Sequence, residues 1–333
     1  MWRPRSFTRR RVLEASGAAL GTALFSPRVR AQSSGGNWPN RYVRLIVPFP
    51  PGGGTDAVAR ILTNRLSEMW GQQVVIENRG GAGSNIGNEA VARSDPDGYT
   101  ILFATAALAT NRFLYASLGY DPIADFAPIG IICEYPNLMA VPNASPVHSV
   151  QEFIAYAKAK PGMTFGSSGS GTTPHLSGEL FKRMAGIEMT HVPYRGAGPA
   201  LNDLLPGRID MMFNTMGAML THVRGNQIRG LAVTSLERFF TAPELPTVAE
   251  SGVPGFEVVG WYALAAPART PAEIVDRISV DMRAALREPA VKKRLEDLGV
   301  GTVASSAAEM VRRLRAETVK WEPIIKSAGI VAQ

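Results

Sequence analysis

The residues from which the fold is best inferred are Val43-Arg44-Leu45-Ile46-Val47-Pro48-Phe49-Pro50-Pro51-Gly52-Gly53-Gly54-Thr55-Asp56. The first five residues form an apolar run typical of a strand, and the prolines and glycines that follow predict a turn. Apolar residues then recur every three to four positions along one helix face, at Val58, Ile61, Leu62, Leu66 and Met69. Gly71 predicts the end of that helix.

The same alternation of strand and helix continues along the chain. Further strands are predicted over residues 74–77, 99–104, 163–166, 189–193, 209–213 and 228–234. Further helices are predicted over residues 150–160, 174–185, 199–205, 271–287, 289–298 and 307–326. Such alternation is typical of α/β folds, in which helices join parallel strands. A single core stops growing near a length of about 300 residues, so two lobes are expected.

Three of the predicted strands end in glycine-rich loops that lead into helices. The loops cover residues 48–56, 166–175 and 193–199. Glycine lets the backbone approach a ligand, and the start of a helix offers free N–H groups and the positive end of its dipole. In open α/β sheets, ligands lie beyond the carboxyl ends of strands, where these loops are placed. The three loops therefore predict an anion site between the lobes.

The first 31 residues are typical of an export signal peptide. Five arginines precede Val12, a mildly apolar stretch follows, and Val29-Arg30-Ala31 predicts cleavage after Ala31. The run from Thr8 to Leu13 fits the twin-arginine export pattern, with an ordinary Sec leader as the alternative. The apolar stretch is too short and too polar for a transmembrane helix. The mature protein is therefore expected in the periplasm.

The net charge of +7 belongs mostly to this leader. Residues 1–31 contain seven arginines and one glutamate, so the rest of the chain carries a net charge of +1. That balance does not favour a nucleic-acid or membrane-surface partner. The single cysteine, Cys133, excludes an internal disulfide and is expected to pack in the core. The four histidines show no metal-binding spacing, so no metal is expected.

Seven motifs, in this order along the chain, carry a resemblance to a known family. They are Pro48-Phe49-Pro50-Pro51-Gly52-Gly53-Gly54-Thr55-Asp56, Glu77-Asn78-Arg79, Asp97-Gly98-Tyr99-Thr100, Gly171 to Leu176, His191-Val192-Pro193-Tyr194-Arg195-Gly196, Gly207-Arg208-Ile209-Asp210 and Leu245-Pro246-Thr247-Val248-Ala249-Glu250. Over essentially the whole mature chain, the sequence resembles the Bug family of periplasmic binding proteins, the TctC-type receptors of tripartite tricarboxylate transporters. It departs from the family pattern at Gly80, where proline is usual, and at Ser84, which replaces a common glycine.

The resemblance implies an α/β fold of the type II periplasmic-binding-protein class. Each of its two lobes would have a central mixed or parallel sheet flanked by helices, with the ligand cleft between them. We expect residues 38–140 and 263–333 to form lobe 1 and residues 141–262 to form lobe 2. The chain would cross between the lobes near residues 137–141 and 259–264, and these crossings would act as hinges.

The function that the resemblance implies is solute binding without enzymatic activity or a cofactor. The protein would trap a small carboxylate, such as a di- or tricarboxylate, an acidic amino acid or an aromatic acid. It would deliver this ligand to the inner-membrane subunits of a tripartite tricarboxylate transporter. A monomer is expected.

Carried onto matching positions, the resemblance places one carboxylate between loops of the two lobes. One side consists of Phe49, Gly53, Gly54, Thr55 and Asp56, and the other of Ser168, Ser170, Gly171 and Thr172. The rest of the pocket, which would set specificity, is predicted at Asn85, Thr105, His175, Tyr194, Arg195, Asn214 and Trp261.

Two of these residues have two possible roles, and two others are candidates for a helix cap. Arg195 either binds a second carboxylate through two hydrogen bonds or forms a surface ion pair. His175 either contacts the ligand or supports the start of its helix. Thr55 or Asp56 is placed to cap the first helix, and a direct contact between Asp56 and an anionic ligand would need a water or a proton between them.

An exported NAD(P)-dependent oxidoreductase is the alternative function. Residues 52–57 fit the pattern G-x-G-x-x-A between a strand and a helix, and Glu77 ends the next strand, which together match the dinucleotide-binding fingerprint. Pro48, Pro50 and Pro51 argue against this interpretation, because a dinucleotide-binding strand usually runs unbroken into its glycines. The presence of a second, equivalent glycine loop also argues against it.

Overall fold

The computed structural model describes residues 38–327 and 329–331. The signal peptide predicted over residues 1–31 lies outside the described residues. Within them, none of the helices combines the length and the apolar character that a membrane span requires. Two sheets share one long strand, and each sheet with its helices forms a lobe.

Strands and helices alternate as predicted. Up to the shared strand they are β1 (Val43–Val47), α1 (Gly54–Trp70), β2 (Val74–Asn78), a 3₁₀ turn (Ala82–Ser84), α2 (Asn85–Ala92), β3 (Thr100–Thr105) and α3 (Ala107–Leu114). They continue with β4 (Phe126–Pro142), α4 (Val150–Ala159), β5 (Thr164–Ser167), α5 (Thr173–Ala185), β6 (Thr190–Pro193), α6 (Ala197–Leu204), β7 (Met211–Thr215), α7 (Met216–Arg224) and β8 (Ile228–Val233). The last elements are β9 (Val259–Pro267), α8 (Ala272–Arg287), α9 (Pro289–Asp297), β10 (Gly301–Thr302) and α10 (Ala307–Ser327). Five of the larger elements were not predicted from the sequence: α2, α3, β4, α7 and β9.

Both sheets are mixed. In the first lobe the strand order is β2-β1-β3-β9-β4, with β10 also paired to β4. Strand β1 runs parallel to β2 and β3, whereas β9 is antiparallel to both β3 and β4. In the second lobe β5 runs parallel to β6 and β7, and β4 is antiparallel to β7 and β8. The parallel strands bring their carboxyl ends, and the loops that follow, to the space between the lobes.

Strand β4 passes from one lobe into the other. Its residues from Phe126 to Pro136 pair with β9, and those from Asn137 to Pro142 pair with β7 and β8. The chain returns at Val259, which pairs with Pro136. The lobe boundaries expected after residues 140 and 262 stay a prediction.

Helix α10 also reaches both lobes. Its residues Met310 and Leu314 belong to a core cluster of the first lobe, and Trp321 and Ile325 belong to a core cluster of the second. The two lobes are therefore joined by packing along this helix as well as by the strands.

Both faces of each central sheet are buried. In β1, Val43, Leu45 and Val47 contribute to one core cluster, and Ile46 contributes to the cluster on the opposite face. This arrangement follows from the period of two along a strand that helices cover on both sides. Cys133 is fully buried in the first of these clusters, as expected from its role in packing.

Candidate functional site

A cleft of about 150 Å³ lies between the lobes, where β1, β3, β5 and β7 end. All three glycine-rich loops contribute to its walls. The lining residues are Phe49 to Thr55, Thr105 to Ala107, Tyr135, Ser168, Thr172 to Pro174, Arg195 to Pro199, Asn214, Thr215 and Tyr262. The structure thus brings together the loops that the sequence places after separate strands.

Five helices begin at this cleft. These are α1 and α3 of the first lobe and α5, α6 and α7 of the second, and the residues at their starts line the cleft. Within the part of the chain that the structure describes, no side chain accepts a hydrogen bond from the first turn of any of these five helices. By contrast, α4 begins elsewhere and is capped by Ser149, whose side chain accepts from the N–H of Glu152.

Uncapped helix starts favour an anion in the cleft. The first N–H groups of a helix have no partner within the helix, and the helix dipole gives this end a partial positive charge. Because helices from both lobes converge here, an anion in the cleft would receive N–H groups from either side. The site requires no basic side chain for this effect.

Asp56 orders the first glycine loop instead of capping α1. The N-cap is Gly53, so neither Thr55 nor Asp56 has the predicted capping role. The Asp56 carboxylate accepts hydrogen bonds from the N–H of Gly52 at 3.1 Å, from Arg60 at 2.8 Å and from Asn78 at 3.1 Å. Burial alone would raise the pKa of the Asp56 carboxyl, but these hydrogen bonds outweigh burial and hold that pKa below its ordinary value.

Two tyrosines from the strands that connect the lobes form part of the cleft wall. The rings of Tyr135 in β4 and Tyr262 in β9 have their centroids 4.5 Å apart, and the hydroxyl of Tyr262 lies 3.0 Å from that of Thr55. Burial raises the pKa of Tyr262 to about 12 and holds the pKa of Tyr135 well above its ordinary value. Both side chains are therefore neutral hydrogen-bonding groups near pH 7.

Two further polar atoms at the cleft have no hydrogen-bond partner among the described residues. Thr105 at the end of β3 and Asn214 in β7 are both buried, and neither the Oγ1 of Thr105 nor the Nδ2 of Asn214 forms a hydrogen bond with the described residues. A buried polar group without a partner costs on the order of 1–3 kcal/mol. Such groups in a cleft are typical of positions that bind a polar ligand.

Arg195 is the only charged residue among those that line the cleft in the described part of the chain. It is exposed, and no carboxylate of the described residues lies within ion-pair distance of it, whereas nearby Arg208 pairs with Asp203 at 2.8 Å. The surface ion pair considered for Arg195 is thus not found among these residues. Its guanidinium adds one positive charge to a cleft that is otherwise neutral.

Nine of the predicted ligand residues line the cleft. They are Phe49, Gly53, Gly54, Thr55, Thr105, Ser168, Thr172, Arg195 and Asn214. Direct contact between these residues and a ligand stays a prediction. The remaining predicted residues are Asp56, Asn85, Ser170, Gly171, His175, Tyr194 and Trp261, and the structure places none of them among the lining residues.

Several of these remaining residues are occupied by contacts within the protein. The Oδ1 of Asn85 accepts hydrogen bonds from Asn111 at 2.7 Å and from Tyr120 at 2.6 Å. The hydroxyl of Tyr194 donates to Asp203 at 2.8 Å. Trp261 lies in a hydrophobic core cluster of the first lobe. Ser170 and Tyr194 do line a second pocket next to the cleft, together with Ala82, Tyr115 and neighbouring residues.

Four polar lining residues were not among the predicted ligand residues: Tyr135, Thr173, Thr215 and Tyr262. Thr173 lies within the predicted loop of residues 166–175, and Thr215 stands where β7 leads into α7, so the rule that identified the other loops would also have found it. Tyr135 and Tyr262 lie within apolar strands, where the sequence has no signal that distinguishes a cleft residue from a core residue.

No metal centre is indicated by the geometry. Among residues 38–327 and 329–331, no group of three or more His, Cys, Asp or Glu side chains is placed to hold a metal ion.

Comparison with known proteins identifies the family of the chain. Residues 58–330 match the family described as the tripartite tricarboxylate transporter family receptor, TctC. The chain belongs to the TctC family. The resemblance found in its sequence motifs is therefore confirmed over most of its length.

Solved structures of similar proteins have the same fold. An R. palustris protein with adipate is 42% identical, with a TM-score of 0.86 over 88% of this chain and 99% of that protein. The periplasmic binding protein BugD is 34% identical, with a TM-score of 0.85 over 89% of this chain and 100% of BugD. MatC from Rhodopseudomonas palustris, with bound malate, is 30% identical, with a TM-score of 0.82 over 86% of this chain and 100% of MatC. The predicted two-lobe periplasmic-binding fold is confirmed.

Proposed function

We propose that this TctC-family protein is a periplasmic solute-binding protein that traps a small carboxylate between its lobes. It would then deliver the carboxylate to the inner-membrane subunits of a tripartite tricarboxylate transporter. The observation that carries the proposal is the convergence of five uncapped helix starts on a cleft where, among the described residues, Arg195 is the only charged residue of the lining. This arrangement favours an anion over a cation or an apolar molecule.

The proposed ligands are di- and tricarboxylates, acidic amino acids and aromatic acids. Among these, dicarboxylates match the cleft well. One carboxylate would bind the N–H groups at the starts of α1 and α5, supported by the hydroxyl of Thr55. The second would form a bidentate pair with Arg195. The structures of the similar proteins with adipate and with malate support this ligand class, because both ligands are dicarboxylates.

Ligand trapping is the proposed mechanism. A carboxylate would bind to one lobe first, and rotation about residues 137–141 and 259–264 would bring the N–H groups of the other lobe onto it. A transporter would recognise the closed form through exposed faces of both lobes. The mature, monomeric protein would be released into the periplasm after cleavage of residues 1–31, through the twin-arginine or the Sec route.

The dinucleotide alternative has one specific difficulty in the structure. The fingerprint requires an acidic residue that is free to bind a ribose. The carboxylate of Glu77 pairs instead with Arg79 at 2.6 Å and lies 3.6 Å from Arg44.

The decisive experiment compares adipate with hexanoate, which has the same number of carbons and one carboxylate fewer. Thermal shifts and calorimetry on the protein from Gln32 onward would measure both acids, a panel of other carboxylates, and NAD and NADP. A ligand at 100 times its dissociation constant adds about 2.7 kcal/mol to the free energy of unfolding, which is readily detected. We expect stabilisation by a carboxylate and none by either dinucleotide.

The variant Arg195→Ala tests the proposed position of the second carboxylate. A hydrogen-bonded pair with a charged group is worth about 1.5–3 kcal/mol, so we expect adipate to bind roughly tenfold to a hundredfold more weakly, with little change for hexanoate. Arg208→Ala, which removes a surface pair with Asp203, is the matched control. Equal losses for both acids would exclude Arg195 from direct recognition, and stabilisation by NAD or NADP would favour the oxidoreductase alternative.

A further inference from the structure

The loop that follows β5 is held from behind by two histidines. This loop, here called the serine loop, comprises Ser167 to Thr172 and contributes Ser168 and Thr172 to the cleft. The N–H of Gly171 donates to the Nδ1 of His175 at 3.1 Å. At the other end of the loop, the hydroxyl of Ser167 lies 2.7 Å from the Nε2 of His191. Each histidine thus binds one end of the serine loop.

The bond to Gly171 determines the protonation of His175. Because the peptide N–H is the donor, Nδ1 must carry no proton, and the proton of the neutral ring resides on Nε2. Ser167 connects His191 to the loop backbone, because its hydroxyl contacts His191 and also accepts a hydrogen bond from the N–H of Gly169 at 3.1 Å. The conformation of the loop backbone therefore depends on both rings.

The two imidazoles stack face to face. Their centroids are 4.0 Å apart with an interplanar angle of 18°, and the ring of Phe165 in β5 lies nearly parallel to both, with its centroid 4.8 Å from that of His191 and 6.5 Å from that of His175. His175 is 3% exposed. The stack joins α5, β6 and β5, the elements that surround the loop. Neither histidine lines the cleft, so any effect on a ligand must act through the serine loop.

Two charged side chains face the stack. The Nε2 of His175 lies 3.9 Å from the carboxylate of Glu179, and Lys182 of the same helix lies over the ring of Phe165. Burial, the neighbouring His191 and the charge of Lys182 lower the pKa of His175 to about 3. Burial and Lys182 lower the pKa of His191 to about 4. The pair is therefore neutral at the pH of the periplasm, and protonation of Nδ1 would place two donors against each other at Gly171.

We propose that His175 and His191 act as a neutral stacked pair of positioning residues, which fixes the serine loop in the shape that presents Ser168 and Thr172 to the carboxylate. The proposal deepens the function proposed above and rests on it for the identity of the ligand. In this proposal His175 affects ligand affinity through the serine loop and not by direct contact. His191, which the sequence did not single out as a ligand residue, has the same role.

Amide exchange and ¹⁵N spectra of the mature protein test the loop without any ligand. We expect a wild-type His175 that is protonated on Nε2 alone at pH 5, where an ordinary imidazole with a pKa of about 6.5 would be mostly charged. His175→Asn retains an acceptor near the position of Nδ1, and His175→Leu removes it. The amide of Gly171 should exchange about tenfold faster in His175→Leu than in the wild type, and at nearly the wild-type rate in His175→Asn.

The second experiment measures how strongly the variants bind adipate. His175→Leu and His191→Leu should each raise its dissociation constant about tenfold, His175→Asn should restore most of the affinity, and exposed His148→Asn should change nothing. A His175 ring that titrates near pH 6.5, or a Gly171 amide that exchanges equally fast in His175→Asn and His175→Leu, would overturn the proposal. If the wild type does not bind adipate, the adipate assignment fails, while the spectra and the exchange rates still decide the role of the histidines.

Discussion

At the scale of single residues, the cleft is built from neutral donors more than from charges. Thr105 and Asn214 are buried there with polar atoms that the described protein groups do not satisfy, and the phenols of Tyr135 and Tyr262 are neutral, with pKa values that burial raises further. Such groups destabilise the protein when they lack a partner and strengthen binding when a ligand supplies one. The same residues can therefore oppose stability and support affinity.

Thr105→Val should separate these two effects. Valine has the shape of threonine without the unpaired hydroxyl, so we expect the free energy of unfolding to stay constant or rise by about 1 kcal/mol. We expect the affinity for adipate to fall about tenfold at the same time. Chemical denaturation and calorimetry on the same samples measure both quantities.

The matched control is Thr63→Val. Thr63 is equally buried, but its hydroxyl donates to the carbonyl of Arg60 at 3.2 Å. This variant should lose stability and bind adipate normally. If Thr105→Val loses stability as Thr63→Val does and binds adipate with unchanged affinity, the hydroxyl of Thr105 has no role in the cleft.

At the scale of elements, the arrangement of β5, α5 and β6 links the stability of the second lobe to pH. His175 in α5 and His191 in β6 are neutral in the folded protein because burial lowers the pKa of each ring, to about 3 and about 4. In the unfolded chain both rings titrate near 6.5. When the pH falls, the unfolded chain therefore takes up protons first, and folding becomes less favourable.

The expected pH window lies between 6.5 and about 4. The contribution of the two neutral histidines to the free energy of unfolding is complete above pH 6.5, and it is lost progressively below this pH. For His175 the loss should reach about 2 kcal/mol at pH 5. The carboxyls of Asp56 and Asp210, whose pKa values hydrogen bonds hold low despite burial, affect stability only near and below 3.8. Urea denaturation at pH 7, 6 and 5 measures how steeply the free energy of unfolding depends on pH.

The double variant with His175→Asn and His191→Gln removes both rings and retains polar atoms near their hydrogen-bonding positions. It should flatten the stability profile between pH 6.5 and 5, and His148→Asn should leave the profile unchanged. A double variant that loses as much stability as the wild type over this interval would show that the pair is not the source of the pH dependence.

At the scale of the whole molecule, the lobes approach each other closely at glycines on both sides of the cleft. A Cβ atom added to Gly217 of α7 would lie 2.6 Å from the carbonyl oxygen of Leu298 in the first lobe. On the other side, a Cβ added to Gly83 would overlap the carbonyl oxygen of Ser170. The lobes can approach each other this closely because glycine has no side chain at either contact.

Gly217→Ala should therefore hold the lobes apart. An overlap with backbone atoms costs about 1–3 kcal/mol, so we expect roughly tenfold weaker binding of adipate. Small-angle scattering should show less compaction on ligand binding than in the wild type. Gly301→Ala, whose added Cβ meets no atom closer than 3.5 Å, is the control. Equal compaction in the two variants would exclude closure across the Gly217 contact, and a wild type that binds adipate without compaction would contradict trapping.

The sequence alone determined the features that depend on near neighbours along the chain. The strand Val43–Val47, the end of α1 at Gly71, the three glycine loops and the α/β alternation all follow from hydrophobic spacing and turn residues, which act over a few positions. Much of the cleft was predicted for the same reason, since residues at the carboxyl end of a parallel strand meet at one edge of the sheet. The order of the motifs was also sufficient to identify the family.

Which face of a strand meets the cleft depends on the tertiary fold. Trp261 and Tyr262 are adjacent in β9, and successive side chains of a strand point to opposite sides, so the two residues join different core clusters and only Tyr262 also lines the cleft. The long strand β4 was not predicted, because Pro128, Gly130 and Pro136 give turn signals inside it. Its pairing with β9 joins residues more than 100 positions apart, as in Glu134 with Trp261, and no local pattern encodes a partner at that distance.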